Sequence, residues 1–75
     1  MQNVNDKPFL QKLGKHIKKL RKEKKYTQLD LAVQMDNYAE QIGRIERGEL
    51  NVTICTLKKI AHALEVPLEK LFDFK

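Results

Sequence analysis

A chain of 75 residues makes one domain, with no room for a linker and a second core, and its core alone supplies only about 3 to 5 kcal/mol. The single cysteine, Cys55, excludes an internal disulfide, and His16 and His62 have no partner at zinc-ligand spacing, so no metal or other cofactor is expected. The net charge of +5 sits at one end, nine Lys/Arg against Asp6 and Glu23 over residues 1–25 and six against eight acids beyond, which suits a nucleic acid or an anionic membrane, unless the lysines serve only solubility.

Residues 1–8 are expected to be a flexible arm ahead of a domain at 9–75. Placed at 100° per residue, Leu10, Leu13, Ile17 and Leu20 share a stripe with Lys12, Lys15, Lys19 and Lys22 opposite. That pattern predicts a first helix from about Pro8, a favoured first-turn residue, to about Lys24. The segment TQLD follows at 27–30. Thr27 can cap the amide of Asp30 while Asp30 reaches back, and Leu31, Ala32 and Met35 then form the inner face of a short second helix. Asp36-Asn37 breaks the pattern as a turn does. A third helix is predicted over about 38–47, stopped at Gly48, which suits a left-handed C-cap. Thr53 caps a fourth, with Leu57, Ile60, Ala61 and Leu64 on one side. Pro67 starts a last short helix carrying Leu71 and Phe72. No strand alternation, repeat or low-complexity run is present.

The third helix poses a question. Ile42 and Ile45 point inward, yet Glu46 lies only about 40° round from Ile42, while Glu40, Arg44 and Arg47 take the opposite side. An unpaired buried carboxylate costs several kcal/mol. On the first helix, Arg21 is offset from Ile17 by the same angle of about 40°. The pattern leaves two arrangements open: Arg21 forks onto Glu46 and ties the first helix to the third, or both reach solvent at the rim.

The run from Leu13 to Phe72 resembles the Cro/C1-type helix-turn-helix family, also called the Xre family. The resemblance is carried by LG-x-x-I-x-x-LR at 13–21, TQ-x-x-LA at 27–32, I-x-R-IERG at 42–48 and LKKIAHALEV at 57–66 followed by LEKLF. It implies an all-α, five-helix, lambda-repressor-like domain whose helices 2 and 3 form the motif, and it places the family's arginine–glutamate bridge on Arg21 and Glu46. The sequence departs from the family where Asn37 and Tyr38 replace an aliphatic and a small hydroxyl residue. In this motif the second helix of the pair enters the major groove and the first lies across the backbone. Gln28, with Thr27, is then expected on one phosphate beside the N-terminus of helix 2, and Arg47, Asn51, Thr53 and the amides around Gly48 on the next. Base reading falls to Ala39, Glu40, Gln41 and Arg44, with Tyr38 and Gly43 beside them. Arg44 suits a guanine, Gln41 an adenine, Glu40 a cytosine amino group and Ala39 a thymine methyl.

The resemblance further implies a homodimer on a palindromic operator, joined through the terminal helices, and Val66, Leu68, Leu71, Phe72 and Phe74 are the expected interface. The alternative is that these residues close the monomer core. The compact form is similar to restriction-modification controller proteins and small phage repressors. Two rivals remain: an antitoxin-like interaction module that binds a protein first and DNA second, and an amphipathic membrane binder built on Phe9, Leu10, Leu13, Ile17, Leu20 and the lysine face. Leu29 and Val33 form an apolar pair on the outer side of helix 2, suited to the arm through Val4, to a partner chain, or simply to solvent. Cys55, His16 and His62 read as surface residues, with redox sensing by Cys55 the sharper alternative. No nucleophile with a nearby base, Gly-rich phosphate loop or carboxylate cluster suggests catalysis. The N-terminal MQNVNDKPF has no apolar h-region, no run reaches the length of a membrane span and no lipidation motif appears, so the cytoplasm is the expected location.

Overall fold

Helix α1 spans Lys7–Glu23 in the computed structural model, which describes residues 6–75. Asp6 caps it by accepting from the Phe9 amide at 3.2 Å. Lys7 and Pro8 therefore open the helix instead of belonging to an arm, and residues 1–5 of the expected arm, Val4 included, lie outside the described residues. Helix α2, Gln28–Gln34, starts at the anticipated capping box: the Asp30 amide donates to Thr27 Oγ1 at 3.0 Å and the Thr27 amide to Asp30 Oδ2 at 2.8 Å. Helix α3 spans Ala39–Glu46 and α4 spans Ile54–Leu64. Thr53 caps α4 by accepting from the Thr56 amide at 3.2 Å.

The expected fifth helix is a 3-10 helix, Leu68–Phe72, so the described residues hold four α-helices and no strand. The tighter i→i+3 pattern takes over, with Lys70 N–H on the Pro67 carbonyl at 3.0 Å and Asp73 N–H on that of Lys70 at 3.3 Å.

Each α-helix ends in a left-handed residue. At the end of α3, Gly48 has φ +74°, its amide donates to the Ile45 carbonyl and that of Glu49 to Arg44, both at 3.0 Å, the paired bonds of a Schellman turn. The other three stops use non-glycine residues: Lys25 (φ 62°), Asp36 (φ 55°) and Glu65 (φ 59°).

The core is one cluster in which Ile17, Leu31, Ala32, Ile60 and Leu71 have no exposed surface. Helix α3 packs on both α2 and α1. The α1–α3 crossing is a backbone contact: a Cβ on Gly14 would lie 2.3 Å from the Ile45 carbonyl oxygen and 2.5 Å from that of Glu46. One on Gly48 would lie 2.7 Å from the Gln11 Cα. Leu10, Leu13, Ile17 and Leu20, which a membrane-binding helix would insert into lipid, are buried in this core. Phe74 also turns inward, its ring 5.8 Å from those of Phe9 and His16, while His16 Nε2 bonds the Lys70 carbonyl at 2.9 Å. No helix of the described residues is long and apolar enough to cross a membrane.

Candidate nucleic-acid interface

One buried hydrogen-bonded network sets α2 and α3 relative to α1. Arg21 Nε donates to Glu46 Oε2 at 2.6 Å and Nη2 to Glu46 Oε1 at 3.1 Å, in the fork geometry that matches guanidinium to carboxylate. Their side chains are 7% and 2% exposed, so of the two arrangements open in the sequence the structure holds the buried pair. Arg21 Nη1 also donates to the Tyr26 carbonyl at 2.7 Å, in the turn before α2. Gln28 Nε2 donates to Glu46 Oε1 at 3.0 Å. The end of α1, the start of α2 and the last turn of α3 thus share one ion pair. No buried side-chain nitrogen or oxygen among the described residues lacks a hydrogen-bond partner, so the charges meet the condition for burial.

With Ile42, Ile45 and Glu46 turned inward, the other side of α3 meets solvent. Tyr38, Glu40 and Arg44 are exposed, Tyr38 by 81%, and Ala39 and Gln41 are half-buried. Gly43 does not join them. It is buried, and the point its Cβ would occupy is 3.1 Å from Arg47 Nη1 and 3.3 Å from Gln28 Oε1, so those side chains lie over it. The departure at 37 and 38 leaves the start of α3 without a side-chain cap; Asn37 Oδ1 instead accepts from the Tyr38 amide at 2.7 Å.

The residues expected on phosphates divide. Gln28 and Arg47 come together over Gly43. Asn51 is exposed in the α3–α4 loop. The Thr27 hydroxyl oxygen is occupied by its cap, and Thr53 Oγ1 both accepts from the Thr56 amide and donates to Thr56 Oγ1 at 3.0 Å. Thr53 thus spends its O–H on Thr56, whereas the Thr27 oxygen only accepts in its cap and keeps its O–H to donate.

Sequence reasoning overlooked Glu49. Its carboxylate accepts from Arg47 Nε at 2.7 Å and lies 3.8 Å from Arg44 Nε, holding the outermost cations of α3 together. Hydrogen bonding from Arg47, then the charges of Arg47, Arg44 and Lys7, keeps the Glu49 carboxyl below its ordinary pKa. Residues 47 and 49 do not face each other along a helix. Only the left-handed turn at Gly48 brings them together, and the IERGE string carried that signal.

The expected dimer residues are also redistributed. Leu71 is fully buried and Phe74 packs on Phe9 and His16, so both close the monomer; Phe72 is 38% exposed and Val66 and Leu68 are half-buried. Ile54, at the start of α4, is 64% exposed and was not anticipated. Leu29 and Val33 on the outer side of α2 are 61% and 66% exposed. Cys55 is an exposed thiol, and the described residues contain no His/Cys/Asp/Glu group suited to a metal ion.

A helix-turn-helix family model, HTH_3, matches residues 17–71. Over 63 residues the chain is 38% identical to the HTH-type transcriptional repressor RghR of Bacillus subtilis (strain 168), which covers 83% of this chain and 47% of that protein. The chain therefore spans about half the length of this curated relative. Among crystal structures it resembles the restriction-modification controller protein C.AhdI from Aeromonas hydrophila, with a TM-score of 0.82, 33% identity and coverage of 84% of this chain and 96% of that one. The wild-type controller protein C.Esp1396I gives a TM-score of 0.79 at 40% identity over 87% and 84% of the two chains. An HTH_3 family transcriptional regulator from Vibrio cholerae gives 0.83 at 34% identity over 89% of this chain and 38% of that one.

Proposed function

The chain belongs to the helix-turn-helix family HTH_3, and from that premise we propose that it is a sequence-specific transcriptional regulator that binds a palindromic operator in double-stranded DNA as a homodimer. The observation that carries this reading is the two-sided character of α3. Its inner side is tied to α1 by the buried Arg21–Glu46 pair, and its outer side presents Ala39, Glu40, Gln41 and Arg44 beside Gln28. A rigid rod with one polar side free is what major-groove reading needs, since base-edge bonds discriminate only from a fixed register. The Gln28–Arg47 pair and Asn51 serve phosphates on either side of the groove. In the free protein Arg44 and Arg47 rest against Glu49, and phosphate or guanine displaces that exposed carboxylate.

A two-fold axis would set two α3 helices roughly 34 Å apart, about one DNA turn. The apolar surface left for that contact is Phe72, Ile54 and the half-buried Val66 and Leu68. Selection from a random DNA pool tests the reading. It should return a palindromic consensus bound with steep salt dependence, and recovery of no enriched sequence would remove specific recognition. A second reading, a protein-interaction module with secondary DNA binding, is favoured only by the exposed Leu29, Val33 and Tyr38. A stable complex with a co-purified protein, lost in Leu29→Asp, would establish it.

A further inference from the structure

Glu46 has more partners than an ion pair requires. Its Oε1 accepts Arg21 Nη2 at 3.1 Å and also Gln28 Nε2 at 3.0 Å. An ionised carboxylate only accepts, so the Gln28 amide must meet it nitrogen first; the reversed amide would set oxygen against oxygen. Gln28 opens α2 and Glu46 closes α3, and between them lies Gly43. The missing Cβ of Gly43 leaves a point 3.3 Å from Gln28 Oε1, 3.5 Å from Gln28 Nε2 and 3.1 Å from Arg47 Nη1. A side chain from one helix of the motif therefore crosses bare backbone of the other and ends beside a guanidinium. One of the two amide N–H groups is held by Glu46, and the second remains. A neutral N–H donor next to a cation is the donor set that a backbone phosphate takes.

We infer that Glu46 is a positioning residue for DNA binding: by holding the Gln28 amide across Gly43 it aims the second N–H of that amide, together with Arg47, at one phosphate of the duplex. The inference rests on the DNA-binding reading above. Arg21 is part of the device, because its guanidinium neutralises a carboxylate that would otherwise repel the phosphate Gln28 is to meet. Gly43 is the floor on which the amide lies.

The test is a double-mutant cycle of Gln28→Ala and Glu46→Gln, with affinity for a labelled, mixed-sequence duplex read by fluorescence anisotropy at a temperature where circular dichroism shows each protein folded. A phosphate contact needs no particular base sequence. Each single variant should bind about tenfold more weakly, the order of a hydrogen bond to a charged group, and the double variant no more weakly than either single. The salt slope should stay near wild type in Gln28→Ala, since a neutral amide releases no counterion, and should fall by about 0.9 in Arg47→Ala. Where Glu46→Gln fails to fold, Gly43→Val replaces it. The Cβ position already lies 3.1 Å from Arg47 Nη1 and 3.3 Å from Gln28 Oε1, and the two methyl groups beyond it occupy the space those side chains fill, so Gln28 and Arg47 must move, weakening binding and flattening the salt slope together. Effects that multiply in the double variant, or a folded Gly43→Val protein that binds like wild type, overturn the positioning role alone. A wild-type protein that binds no duplex overturns the DNA-binding reading and this inference with it.

Discussion

Replacing Gly14 by alanine tests the α1–α3 crossing with one methyl group. In an ordinary helix interior the change stabilises by about 1 kcal/mol, because alanine loses less backbone freedom than glycine. Here the new Cβ would sit 2.3 Å from one carbonyl oxygen of α3 and 2.5 Å from the next, where real Cβ contacts essentially never fall below 3.0 Å. Both neighbours are backbone, so no rotamer change relieves the clash and the two helices must separate. Overpacking of this kind costs about 1 to 3 kcal/mol. Separation also lengthens the 2.6 Å Arg21–Glu46 bond, and outright loss of a buried pair costs about 3 to 5 kcal/mol. Setting the propensity gain against a partial share of that loss gives a net destabilisation of about 2 kcal/mol, a fall in Tm of roughly 8 to 16 °C for a domain this size. Thermal and urea melts followed by far-ultraviolet circular dichroism read it directly. A Tm equal to or above wild type would show that α1 and α3 are not in backbone contact, and the rigid mounting of α3 would lose its basis.

Other expectations follow from the same contacts. Arg21→Met leaves Glu46 buried without its cation and should lower stability by about 3 to 5 kcal/mol in urea unfolding, where an unchanged midpoint would place the pair in solvent. Glu49→Gln frees Arg44 and Arg47 and should raise affinity for an arbitrary duplex severalfold while steepening its salt dependence; unchanged binding would mean that Glu49 does not hold them back. The same release should come with acid. The folded pKa of Glu49 is lowered, chiefly by its hydrogen bond from Arg47, so the pairing is present above the ordinary carboxylate range and is lost as pH falls through that depressed value. Non-specific binding at fixed ionic strength should therefore depend less on pH in Glu49→Gln than in wild type. Lys25→Gly relieves a left-handed lysine at φ 62° and should raise stability by up to about 1 kcal/mol, and a loss on melting would contradict that account of the turn.

Much of this arrangement could be read from the residues, and the failures have physical causes. The stripe of α1, the capping box at Thr27–Asp30 and the Gly48 stop are local signals within one or two turns, and each element begins or ends within about two residues of its expected place. Arg21 and Glu46 were legible because each shares the same offset from an inward isoleucine, although the pattern alone left the rim as an alternative. Lys25 and Glu65 gave no warning that they end helices, since left-handed turns at charged residues are stabilised by the Schellman bonds and packing around them rather than by their own preferences. The burial of Gly43 was not legible because helical periodicity places a residue on a face but not beneath a side chain from another helix. Phe74 looked free for a partner because nothing in the last residues of the chain shows that its ring packs on Phe9 and His16.

The most direct test of the central claim, that the outer side of α3 is held rigid to read DNA, is a ¹⁵N–¹H chemical-shift titration of the protein with a duplex obtained by selection. The account predicts that the largest changes fall on the amides of residues 38–44, on the side chains of Gln28 and Arg47, and in the loop at Asn51. Changes confined to the lysine face of α1 or to the terminal residues, with α3 unmoved, would contradict it.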